Sequence, residues 1–90
     1  MNKLEEGRTV IDRVDREMAA LFEERMRAVE GIAEYKKALG LPVLDASREQ
    51  AVIEKNQAYI ADPKLKPYYT DFLQELMRIS RKFQEDQRTS

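Results

Sequence analysis

The sequence predicts an all-α fold, with three helices per chain, one long and two shorter, intertwined with a second copy as an antiparallel helical homodimer. Three observations predict it. Between Lys3 and Leu39 there is no Pro, and apolar residues recur at helical spacing. The remainder is divided by two breaks, around Gly40–Pro42 and Asp62–Pro67, with no strand-like alternation in any part. Finally, a helix of about 35 residues at about 1.5 Å per residue is a rod of about 50 Å. A compact chain of this length would be only about 30 Å across. The rod overhangs anything the chain could build alone, and an apolar stripe on an overhanging rod needs a partner. A second copy is the simplest one.

The long helix carries Leu4, Ile11, Met18, Arg25 and Ile32 on one heptad row, and Val14, Leu21 and Ala28 on the row three residues later. That is the apolar seam of a bundle or coiled coil. A flanking row reads Arg8, Asp15, Phe22, Val29, Lys36, so cations interrupt the apolar face at three places. Asn2 can cap the start. Gly40 marks the stop, Pro42 prevents continuation, and Lys36 and Lys37 suit the negative end of the helix dipole.

Leu41 to Leu44 form a short extended connector. The second helix opens at Asp45, a capping residue, with Ser47 and Gln50 at capping-box spacing. It is expected to reach about Ile60, with Val52, Ile53, Tyr59 and Ile60 as its apolar positions, and to end at Asp62-Pro63. Lys64 to Pro67 is a second turn, and Pro67 fits the first position of the third helix. That helix is expected to run to about Asp86, with Tyr69, Phe72, Leu73, Leu76, Met77 and Phe83 on its apolar face. Residues 87–90 are expected to fray.

Ninety residues make one domain, 1–90. Sixteen basic residues against 17 acidic leave a formal charge of -1, so neither nucleic acid nor an anionic membrane is indicated as a partner. The chain has no Cys and no His. A disulfide framework, zinc sites of the usual kind, thiol nucleophiles and His acid–base catalysis are thereby excluded. The polar N-terminus lacks the apolar run of a signal peptide, and no stretch approaches 18 apolar residues, so a cytoplasmic protein is expected.

Taken singly, the polar candidates have plain readings. Arg25 can snorkel out of its apolar row, Lys36 suits a helix C-terminus, Ser80 and Gln84 can edge a core, and Asp45, Arg48 and Glu49 can be a solvated helix start. Together they form a pattern. Arg25 and Lys36 are eleven residues apart, three turns, and point the same way about 16 Å apart along the axis. The second helix begins beside the end of the first and brings Asp45, Arg48 and Glu49 there. Ser80 and Gln84, one turn apart, can come alongside from the third. A small, cation-rich pocket suits a compact anion with more than one carboxylate. Arg8 lies 28 residues before Lys36, about 42 Å along the rod, beyond reach of that pocket in its own chain. In an antiparallel dimer it reaches the pocket of the partner.

These residues resemble the all-helical chorismate mutases, the dimeric type found in bacteria and as domains of bifunctional enzymes. The likeness covers nearly the whole chain. It rests on Arg8–Ile11–Asp15, on Glu24-Arg25 with Lys36 eleven residues on, on Pro42-Val43-x-Asp45-x-x-Arg48-Glu49, and on Ser80-x-x-x-Gln84. The resemblance implies a Claisen rearrangement of chorismate to prephenate, on the way to phenylalanine and tyrosine, with no cofactor and no metal. By the same resemblance, Arg25 and the partner's Arg8 would bind the two carboxylates. Lys36 and Gln84 would hydrogen-bond the ether oxygen, and Glu49 would hold the ring hydroxyl. Arg48, Asp45 and Ser80 would contact or orient substrate. Some relatives carry a carboxylic acid where this chain has Gln84. A Glu must be protonated to donate, whereas Gln donates at any pH.

Three other readings use the same scaffold: an isochorismate pyruvate lyase, a helical dimer that only binds a partner, and a mutase activated by a partner enzyme of aromatic biosynthesis.

Overall fold

Asn2 starts the first helix as expected: its side-chain oxygen accepts the backbone N–H of Glu5 at 2.9 Å. The structure, a computed structural model, describes residues 2–89. Helix α1 spans Lys3–Leu39, 37 residues. It ends at Gly40, whose φ of 66° is left-handed. The Leu41 N–H returns to the Lys36 carbonyl at 2.8 Å and the Gly40 N–H to that of Lys37 at 3.2 Å, the paired bonds of a glycine-terminated helix.

Helix α2 spans Ala46–Gln57, three residues shorter than the expected end at Ile60. The N–H groups of Tyr59 and Ile60 bond carbonyls three residues back, at 3.0 and 3.1 Å, so the last turn tightens and the helix is lost. Tyr59, expected on the apolar face, is 68% exposed, whereas Val52, Ile53 and Ile60 are half-buried. Asp62 then caps a 3₁₀ turn over Pro63–Leu65.

Helix α3 spans Lys66–Thr89, one residue earlier than expected. Pro67 is therefore its second residue, where a missing N–H still costs nothing. Its far end departs from expectation more. Residues 87–89 remain helical instead of fraying, and Ser90 lies outside the described residues. Tertiary contacts hold the last turn. Arg88 donates to the Leu41 carbonyl, and Lys37 Nζ approaches the Gln87 carbonyl at 3.5 Å.

The connector between α1 and α2 is thus tied to the end of α3, and α3 packs on both α1 and α2. Ser80 lies against Arg25 and Gln87 against Lys37, so α3 runs in the direction of α1. The core is small and sits at one end. It comprises Val29 and Ala33 of α1, Val43 of the connector, and Leu73 and Met77 of α3. Phe72, expected on the buried face, is half exposed and stacks on Tyr69 with ring centroids 5.9 Å apart.

The first half of α1 has no such cover. Among residues 2–24 only Val14 is partly buried. Leu4, Ile11 and Leu21 stand 56–63% exposed. The chain extends 55 Å along its longest axis, with a radius of gyration of 16.3 Å, against about 12 Å for a compact chain of this length. Among the described residues no helix is long and apolar enough to cross a membrane.

Candidate active site

The buried end of the molecule holds a cleft of about 340 Å³ between the three helices and the connector. Arg25, Val29, Ile32 and Lys36 line it from α1. Val43 and Asp45 line it from the connector, Arg48, Glu49 and Val52 from α2, and Met77, Ser80, Arg81 and Gln84 from α3. Arg25, Lys36, Asp45, Arg48, Glu49, Ser80 and Gln84, all expected from the sequence, are therefore together. Arg8 is not. It lies on the exposed first half of α1, outside this cleft.

Six of the cleft's polar side chains, Arg25, Lys36, Asp45, Glu49, Ser80 and Arg81, are held by neighbours. Arg25 Nη1 donates to Ser80 Oγ at 2.6 Å, and Ser80 Oγ donates to the Leu76 carbonyl at 2.9 Å. The buried hydroxyl, 6% exposed, thus fixes the guanidinium from beneath. Lys36 Nζ donates to the Val43 carbonyl at 2.9 Å. That uses one of its three donors and leaves two. Gln84 is 7% exposed, and its Oε1 is buried with no hydrogen-bond partner among the described residues. Leaving a buried acceptor unpaired costs about 1–3 kcal/mol.

Asp45 shows why a site residue can also be structural. Its Oδ1 accepts the Arg48 N–H at 3.0 Å and the Ser47 hydroxyl at 2.9 Å, so it caps α2. The Arg48 N–H first, then the Ser47 hydroxyl and the nearby charges of Lys36 and Arg48, hold its carboxyl below the usual value of 3.8. A carboxylate whose folded pKa is depressed contributes stability above its unfolded pKa and loses it as pH falls through the folded one. Asn caps equally well but does not titrate. Below about pH 4, thermal melts should show wild type losing melting temperature faster than Asp45→Asn. Parallel acid-side curves would remove the carboxylate from the cap.

Arg81 was not anticipated. Its Nη1 donates to both oxygens of Glu49, at 2.5 and 2.7 Å. The signal available in the sequence was its spacing, four residues after Met77 and three before Gln84, which puts it on the face those two occupy. Its partner lies 32 residues away on another helix, which local spacing does not reveal. With Arg81 the cleft carries four cations, Arg25, Lys36, Arg48 and Arg81, against two carboxylates, Asp45 and Glu49. Two positive charges remain over an apolar floor, a setting for a compact dianion.

Comparison with known proteins agrees with this chemistry. The chorismate mutase type II family model matches residues 7–85. A chorismate mutase of Methanocaldococcus jannaschii is 34% identical over 55 residues, which is 61% of this chain. That matched stretch spans 56% of the relative's length. No solved structure matches the chain.

Proposed function

Because the chain belongs to the chorismate mutase type II family, we propose that it rearranges chorismate to prephenate as a single mutase domain. We place it in a homodimer whose two sites are each completed by the partner's Arg8. The observation that carries the reading is the cleft itself. Four cations and a buried amide converge there on a volume of about 340 Å³, with two positive charges in excess. Chorismate and its rearrangement transition state are compact dianions.

The reaction is unimolecular. One C–O bond breaks as one C–C bond forms, so no nucleophile, proton carrier or redox group has to act. The first requirement is geometric: the enolpyruvyl end must be folded over the ring. Arg25, fixed by Ser80, and the partner's Arg8 hold the two carboxylates in that conformer, an orientation effect. The second requirement is electrostatic. As the C–O bond lengthens, negative charge grows on the ether oxygen. Lys36, with two donors to spare, and the Gln84 amide stabilise it. Arg48 adds to the field that binds the dianion, and Glu49 accepts the ring hydroxyl.

The exposed stripe on the first half of α1 supports the dimer, because Leu4, Ile11 and Leu21 have nothing of their own chain to bury against. Product analysis by NMR tests the reaction class. Purified protein given chorismate should yield prephenate, with no release of pyruvate from either chorismate or isochorismate. Pyruvate released from isochorismate in place of prephenate formation would move the protein to the lyase reading.

A further inference from the structure

We propose that Arg81 is a positioning residue that acts through Glu49: it bridges the two carboxylate oxygens, fixes them toward the cleft and cancels their charge so that a dianionic substrate can lie beside them. The proposal rests on the mutase reading of the cleft.

Four observations carry it. The pair joins α3 to α2 across 32 residues, with side chains only 33% and 26% exposed. The ion pairs Arg13–Glu17, Arg27–Glu23 and Arg78–Glu75 instead lie within single helices, with side chains more than half exposed, where such pairs contribute little. Both members line the cleft. Finally, one nitrogen, Nη1, serves both oxygens. A carboxylate has about four acceptor sites. Arg81 uses two, and each oxygen keeps one for a substrate hydroxyl.

Charge supplies the need for it. Glu49 as a bare carboxylate would stand against a substrate bearing two negative charges, and like charges across a binding surface are costly. Neutralised by Arg81, the same group accepts a hydroxyl without repelling the rest of the molecule. The contribution is made alike in the bound substrate and in the transition state, since the ring hydroxyl takes no part in bond breaking. It should therefore appear in KM more than in kcat.

The test is steady-state kinetics on chorismate with Arg81→Ala, Arg81→Lys, Glu49→Gln and the Arg81→Ala/Glu49→Gln double variant, each checked for helicity and melting temperature. Arg81→Gln, which keeps part of the stem, replaces Arg81→Ala if that variant fails to fold. We expect Arg81→Ala to raise KM about tenfold with kcat within about threefold. Because a single nitrogen makes the bridge, Arg81→Lys should restore KM to within about threefold of wild type. The double variant should be no worse than Glu49→Gln alone within about twofold, because both substitutions act on one group. An Arg81→Ala enzyme with wild-type KM, no rescue by lysine, or effects that multiply in the double variant would each overturn the proposal. In all three cases the wild type still turns over chorismate, so the mutase reading stands. A folded wild type without mutase activity overturns both.

Discussion

Replacing Lys36 with alanine should lower kcat by about 10²–10³-fold, the effect of removing one donor from a site built around a developing negative charge. The magnitude follows from position. Lys36 spends one donor on the Val43 carbonyl and presents the others to the cleft, where Gln84 supplies a neutral amide. In the proposed mechanism the ammonium is a full charge, so its attraction for the ether oxygen grows as that bond breaks. KM should move much less, because in the proposed site Arg25 and the partner's Arg8 hold the carboxylates. The same substitution removes the tie to the connector, which should cost about 0.5–1.5 kcal/mol of stability. Rates must therefore be compared below the melting transition of the variant. Near-normal turnover by a folded Lys36→Ala protein would remove Lys36 from the proposed role.

The second large effect is expected from complementation. Arg8→Ala should cost about 10²-fold in kcat/KM, the scale of a lost charge-assisted contact to a carboxylate. Arg8 lies outside the cleft of its own chain, so in the proposed dimer the deficit falls on the partner's site. When Arg8→Ala and Lys36→Ala proteins are unfolded together and refolded in equal amounts, about half the dimers are mixed. In a mixed dimer one site has an intact Lys36 and receives an intact Arg8, while the other lacks both. Activity should return to about a quarter of wild type, one good site in two across half the dimers. A mixture no more active than the average of its two components would place Arg8 and Lys36 in the same chain's site, or leave Arg8 without a role.

Much of this arrangement was legible in the sequence because it is local. Asn2, Gly40 and Asp45 bound helices by capping chemistry that depends on a few neighbouring residues. Arg25 and Lys36, and Ser80 and Gln84, share faces because the helical period puts them there. Tertiary contacts were not legible. The Arg88 contact with the Leu41 carbonyl and the Lys37 contact with Gln87 keep α3 helical through Thr89, where composition alone suggests fraying. Arg81 looks like any solvated cation until α2 brings Glu49 to it. Ser80 was expected to contact or orient substrate; its bonds to Arg25 and to the Leu76 carbonyl were not legible. The α2 terminus fell short of Ile60 for a related reason: the apolar pattern continues through Tyr59, but the chain leaves the helix to make the turn into Asp62.

Asp45 and Ser80 share a feature with Arg81. Each holds another element of the cleft in place: Asp45 caps the helix that presents Arg48 and Glu49, Ser80 seats Arg25, and Arg81 seats Glu49. A chain with so small a core cannot rely on packing alone to hold long cationic side chains, and here hydrogen bonds hold them.

The most direct measurement is the disappearance of chorismate absorbance with the purified protein, with prephenate identified by its conversion to phenylpyruvate in acid. Mutase activity gives saturable loss, one prephenate formed per chorismate consumed, with no added cofactor or metal. A folded, dimeric protein that leaves chorismate unchanged would contradict it.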